Sequence, residues 1–390
     1  MKKAIFKAIF CATLLSSTAF VTSCSNNDDD NTETPIQELT PDNFKGTIKS
    51  GQSLTLDATK TYYLTGIVTV ENGATLNIPA GTKFTATGGT SAYIIVDRGG
   101  KIYANGTASN PVVFQGINHT PGEWGGLVIL GKATSNRSAS GESTSELGEK
   151  MYGGKENGDN SGSLTYVIIK DSGAKFSDTK EFNGLSLFGV GSGTKVDNIY
   201  VENGGDDGIE FFGGTVNASN LVVNGVGDDS FDWTEGWSGT GTNWYAKRRP
   251  SSINGEAGNR GIEADNQDTN PDATPISNPT IKNITVVGSK DGAESQGAKL
   301  RAGTNGNIDN LVIANFATGL DIETDRSVNW FNAKGKLTNV RFVNVDTKSK
   351  GKNTAGASVD VSGAFTENNS ATGAGNGADI PTWASWTGLK

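Results

Sequence analysis

The 390-residue sequence predicts an all-β solenoid whose rungs stack their strands in parallel. Three observations carry that prediction. Glycine is far above average usage, at 53 residues, and helix-forming runs are few, which marks a turn-dense β chain. Two strand motifs alternate along the chain, Gly-apolar-x-apolar and apolar-x-Asn-apolar-x-apolar. In the shortest intervals both recur at spacings of 22 to 24 residues, the length of one turn in a repeat array, and longer intervals mark insertions.

The first motif reads "GLVILG" from Gly126, "GLSLFG" from Gly184, "GIEFFGG" from Gly208 and "SFDWTEG" from Ser230. It continues as "GIEADN" from Gly261, "GAKLRAG" from Gly297 and "GLDIET" from Gly319. Alternation turns one face of each strand inward. The expected inward pairs are Leu185/Leu187, Ile209/Phe211, Phe231/Trp233, Ile262/Ala264, Ala298/Leu300 and Leu320/Ile322. The second motif carries Asn198, Asn220, Asn283, Asn310 and Asn339, with a weaker copy at Asn243 and Tyr166 in the equivalent place of an earlier rung. These asparagines are expected at corners, one above another, where stacked amides bond each other. The stretch before residue 117 is less periodic and reads as short rungs with turns at Glu71-Asn72-Gly73, Gly81 and Gly99-Gly100.

This pattern resembles the right-handed parallel β-helix of pectate-lyase-like proteins, over roughly Asn43 to Asn344. The N-terminus adds a second resemblance. Lys2, Lys3 and Lys7 precede a mostly apolar stretch, Ala8 to Val21, that is short for a membrane span and fits a signal-peptide core. It ends in Val21-Thr22-Ser23-Cys24, which is similar to a bacterial lipobox with Cys24 as the lipidation site. The following "SNNDDDNTETPIQELTP" is polar, acidic and free of aromatics, as expected of a disordered tether. Its acidic run resembles the surface-export signal of Bacteroidota lipoproteins. The expected organisation is therefore a signal peptide at 1–23, a tether at 24–42 and a β-helix domain at 43–390. Trp383 and Trp386 are expected to cap the last rung. The resemblance implies an outer-membrane, lipid-anchored protein exposed at the cell surface, and it carries over no catalytic residues.

Cysteine and charge narrow the chemistry. With Cys11 removed and Cys24 acylated, the mature chain has no disulfide and no thiolate metal ligand. Removal of residues 1–23 takes three lysines, leaving 30 basic against 42 acidic residues. That balance argues against a nucleic-acid partner and suits contact with cations or neutral ligands.

Several candidate sites follow. Aligned strands place Ser186, Glu210, Asp232, Glu263, Lys299 and Asp321 in one outward column, with Asp206, Asp207, Asp228 and Asp229 just before two of the strands. Carboxylates stacked at the inter-strand spacing of about 4.8 Å repel and need solvent or a cation. Ca²⁺ takes such oxygen ligands, so Asp206, Asp207, Glu210, Asp228, Asp229, Asp232 and Glu263 are the candidate metal ligands. The opposite reading is a hydrated edge, with Lys299 pairing laterally. "DNQDTNPD", Asp265 to Asp272, is a second candidate chelator or a plain turn. Polar insertions at 133–162, 247–258, 265–279 and 324–336 are the expected places for function. Trp237, Trp244 and Tyr245, beside Lys247, Arg248 and Arg249, suggest a ligand-binding platform of exposed aromatics, with Trp237, Trp244, Tyr245 and Arg248 in contact; the opposite reading is that Trp244 caps or fills a weak rung. Lys299 and Arg301 are the candidate catalytic bases. The "GDD" at Gly205 is similar to the acids of β-helical polygalacturonases, but their Gly-His-Gly and Arg-x-Lys motifs are absent. His119, the sole histidine, excludes a multi-histidine metal centre.

The expected function is a non-catalytic surface binding module for a glycan, a peptide or a partner outer-membrane protein, accessory to a TonB-dependent receptor. The alternatives are a Ca²⁺-dependent polysaccharide lyase or glycosidase, and a structural or adhesive surface element.

Overall fold

The computed structural model describes residues 39–145, 150–177, 180–250, 260–290, 295–333 and 335–390. Cys24, the signal segment and the tether up to residue 38 lie outside the described residues. Within them the chain is a parallel β-helix whose strands join one 24-stranded sheet. No described helix is long and apolar enough to cross a membrane.

Two parallel stacks make up most of the solenoid. One runs from Ile94–Val96 and Leu127–Leu130 through Leu185–Phe188, Ile209–Phe212, Phe231–Thr234, Ile262–Ala264, Gln296–Leu300 and Thr318–Glu323 to Thr347–Lys352. The other runs from Gly162–Lys170 through Lys195–Glu202, Asn217–Asn224, Thr240–Lys247, Thr280–Val287 and Asn307–Ala314 to Leu337–Val343. All six expected inward pairs are buried in the continuous apolar core. The glycine that opens the first motif is explained by rung spacing. A Cβ on Gly184, Gly208 or Gly261 would lie 2.5 to 2.6 Å from a carbonyl oxygen of the next rung.

The motif asparagines bend the second stack. Asn198, Asn220, Asn243, Asn283, Asn310 and Asn339 all have φ between 53° and 61°, a left-handed conformation that asparagine tolerates better than most residues. The bend resets the alternation, so Val196 and Ile199 both face inward although three positions apart. The amides ladder as expected: Asn243 donates to Asn220 (3.0 Å), Asn283 to Asn243 (3.0 Å) and Asn310 to Asn283 (2.9 Å). The ladder breaks at both ends, where Asn220 donates to Asp197 (2.8 Å) in place of Asn198 and Asn339 donates to Asp309 (2.7 Å).

The C-terminus departs from expectation. Trp383 and Trp386 do not close the last rung. They lie with Ala374 and Ala384 against Ile168, Tyr200, Val222, Tyr245, Val287 and Ala314 on the outer face of the second stack. That face is apolar outside as well as inside, so a strap of chain must cover it. Thr285 fastens the strap through the Ala374 N–H (3.0 Å) and the Gly377 carbonyl (2.8 Å). The insertion at 324–336 contributes the helix Asp325–Asn332, which buries Val328 and Phe331 in the core.

Candidate cation site

Register in the first stack sets the column. Ser186 pairs with Glu210, Glu210 with Asp232, Asp232 with Glu263, Glu263 with Lys299, and Lys299 with Asp321. Lys350 extends it by one rung. The turns before the strands bring Asp206, Asp207, Asp228 and Asp229 to the same edge. Three groups then have carboxylate oxygens within 4.8 Å of one another: Asp206/Asp207/Asp228, Asp207/Glu210/Asp232 and Asp229/Asp232/Glu263. All seven expected metal-ligand candidates are therefore adjacent.

The groups are not equivalent. Arg260 bridges the third, with Nη1 3.0 Å from Asp229 Oδ2 and 3.0 Å from Glu263 Oε1. From Glu263 onward the column alternates in charge, and Lys350 Nζ lies 3.0 Å from Asp321 Oδ2. The first two groups hold Asp228 Oδ1 and Asp232 Oδ1, buried oxygens that accept no hydrogen bond. Glu210 is steered by the buried Asn183, whose Nδ2 donates to Oε2 at 2.6 Å. Asp207 Oδ1 accepts the Asp229 N–H at 2.8 Å, tying the two acidic turns together. Burial, and then neighbouring carboxylates, push Asp206, Asp207, Asp229 and Asp232 well above the usual carboxylate range. Burial pushes Asp228 up to about 6, with Arg260 acting in the opposite sense. Such a cluster meets its repulsion with protons or with a cation. Oxygen-only donors of this kind fit Ca²⁺.

The aromatic platform is corrected. Trp237 and Trp244 are 0 % exposed and stack with Phe211 inside the solenoid, at 4.2 and 5.8 Å between ring centroids. Their indole N–H groups donate to the carbonyls of Val216 and Ala218, both at 3.1 Å. Tyr245 points outward but lies buried under the C-terminal strap. Arg248 is buried beneath the acidic turn, where its guanidinium donates to the Val226 carbonyl (2.9 Å) and to that of Asp228. A rung this wide needs large rings to fill it, and "GWSGTGTNWYA" supplies core. Residues 251–259 of the neighbouring insertion lie outside the described residues.

Arg301 pairs with Asp265 (3.0 Å) and Glu263 (3.3 Å). Burial alone would lower its pKa, but these carboxylates raise it, so it stays protonated and cannot serve as a base. Lys299 is largely buried in the column between Glu263 and Asp321. "DNQDTNPD" is a packed turn: Asp265 pairs with Arg301 and Asp272 with Arg326 (2.8 Å). Its Asn266 bonds Asn136 Nδ2 (2.8 Å), linking two insertions. His119 places Nδ1 3.3 Å from the buried Asp171. Arg260 and Asn183 escaped the sequence reading. Arg260 lies one residue before the Gly261 motif and Asn183 one before Gly184, so the position ahead of each motif glycine was the available signal.

A parallel β-helix with an acidic outer column defines the class. The profile described as "Pectate-lyase like beta helix domain" matches residues 46–387, and the chain belongs to that family. No curated protein matches the sequence. Among solved structures it is similar to the enzymatically active domain of tailspike protein 2 from bacteriophage CBA120, at 15% identity and a TM-score of 0.31, covering 79% of this chain and 42% of that one. The full-length tailspike protein 2 from an Escherichia coli O157:H7 bacteriophage matches at 15% identity and a TM-score of 0.28, covering 76% and 35%. The chain thus spans less than half the length of either tailspike.

Proposed function

We propose that the protein is a cell-surface binding module, anchored in the outer membrane through lipid on Cys24. It holds Ca²⁺ among Asp206, Asp207, Glu210, Asp228 and Asp232 and captures an anionic glycan or peptide through that ion. Hand-over to a TonB-dependent receptor or another envelope protein is its proposed role there. The observation that carries the reading is the pair of converging carboxylate groups containing the unpartnered oxygens of Asp228 and Asp232. A cation satisfies both and leaves coordination positions for a ligand's own oxygens.

The test is capture of acidic glycans and peptides by the mature chain, in calcium and in EDTA. Binding in calcium that disappears in EDTA and in Asp232→Asn supports the reading. Binding indifferent to EDTA contradicts it. A stable complex with an envelope protein and no small ligand would point instead to an adhesive element. Lys299, one rung from Glu263, is the observation that favours a second reading as a Ca²⁺-dependent lyase. Turnover of acidic glycans that Lys299→Ala abolishes would establish it. No turnover across such glycans would rule it out.

A further inference from the structure

A second site lies on the same outer face, away from the carboxylate groups. Phe188 and Phe212 point outward two residues beyond Ser186 and Glu210, and their rings stack at 3.9 Å. Tyr152 packs against Phe188 at 5.1 Å. These rings are themselves almost wholly buried and close the inner end of a pocket of about 300 Å³, at the lower end of the roughly 300–1,000 Å³ usual for small-molecule sites. That is room for one sugar-sized ring.

The insertion at 133–162 builds the wall. Its strands Glu142–Thr144 and Met151–Gly153 pair antiparallel. The hairpin is fixed to the solenoid before any ligand arrives. Arg98 Nη1 reaches Glu142 Oε1 (2.5 Å) and the Gly153 carbonyl (3.0 Å), and Lys150 pairs with Asp97 (2.8 Å). Deeper in the pocket, Glu235 accepts from Arg137 Nε (2.6 Å), Ser135 Oγ (2.8 Å) and the Tyr152 hydroxyl.

Two features point to a ligand. Ser145 lines the pocket, is 2 % exposed, and its Oγ has no hydrogen-bond partner. A buried hydroxyl left unpaired is costly, and a ligand oxygen relieves that cost. The charge is also inverted relative to the surrounding face: Arg137 and Lys180 line the pocket against the single carboxylate of Glu235. Ser143, Thr144 and Ser145 line one edge, with Ser143 paired across the hairpin to Tyr152. One net positive charge beside a buried, unpaired hydroxyl suits an oxyanion.

We propose that this pocket binds a sugar esterified by sulfate or phosphate, with the oxyanion at Ser145 and Lys180. The site needs no cation, so its test is run in EDTA and is independent of the calcium reading. The mature chain is titrated calorimetrically with galactose 6-sulfate, galactose 6-phosphate and galactose. The expected result is that at least one ester binds tenfold or more tightly than galactose, the stronger of the two identifying the oxyanion. Ser145→Ala and Lys180→Gln should each weaken that binding fivefold or more at unchanged melting temperature. Neither variant removes a hydrogen bond or ion pair seen for those side chains, so both should fold. Esters that bind no better than galactose, or an affinity unchanged in both variants, overturn the proposal.

Discussion

The buried carboxyls make the stability of the metal-free protein run against pH in a defined direction. Asp228 has a folded-state pKa of about 6 against an ordinary 3.8. The folded protein therefore holds this proton more tightly than the unfolded chain does. The stabilisation is fully present below the ordinary value and is lost as pH rises through about 6. A rise of that size corresponds to about 3 kcal/mol, at about 1.4 kcal/mol per tenfold. For a domain of this length it lowers the melting temperature by about 6 °C, taking about 2 °C per kcal/mol. Asp206, Asp207, Asp229 and Asp232 are raised too and act in the same direction. Calcium held by the cluster as proposed should reverse the trend, because a cation binds deprotonated carboxylates and displaces their protons. The assay is scanning calorimetry in EDTA and in calcium, at about pH 4.5, 6 and 7.5. Melting in EDTA should fall across the series, Asp228→Asn should flatten the fall, and calcium should raise melting mainly at the upper two values. Melting in EDTA that rises or stays level, with the same slope in Asp228→Asn, would refute the reasoning.

Other outcomes follow from the same geometry. Trp244→Ala should cost about 3–5 kcal/mol in a denaturant titration, as a core ring lost, and leave calcium affinity unchanged in the folded fraction. Asn283→Ala should cost about 1–3 kcal/mol, because it removes a ladder amide and places alanine in a left-handed conformation. Asn283→Gly should cost less, since glycine tolerates the backbone. Arg260→Gln should open the third carboxylate group, seen as a second, weaker calcium event in calorimetry. Truncation after residue 370 should bare the apolar outer face of the second stack and raise binding of a hydrophobic dye.

The repeat was legible because each motif position has one physical cause. The opening glycine answers to the next rung's carbonyl, the alternating residues to the core, and the asparagine to a left-handed corner. Register follows from those three, so the column Glu210–Asp232–Glu263–Lys299–Asp321 is legible in the sequence alone. The platform reading fails and the rung-filling one holds for Trp244: Trp237 and Trp244 sit in a Gly/Thr-rich stretch that looks like a loop, whereas the wide rung behind Phe211 needs filling. Trp383 and Trp386 were misplaced because the motif marks which residues face inward and is silent on whether the outer face is apolar. Tyr200, Val222 and Tyr245 make it so. The pocket around Ser145 was out of reach, since an insertion carries no periodic signal and its wall comes from hairpin pairing.

The central claim is that the carboxylate cluster holds a cation, and calcium titration of the mature chain by calorimetry at neutral pH tests it most directly. Asp232→Asn serves as the test variant and Asp272→Asn, an exposed acid paired with Arg326, as the control. The account predicts saturable binding in the wild type and the control, weakened tenfold or more in Asp232→Asn. Absence of binding in the wild type, or equal binding in all three proteins, would contradict it and leave the acids as a protonated edge of the scaffold.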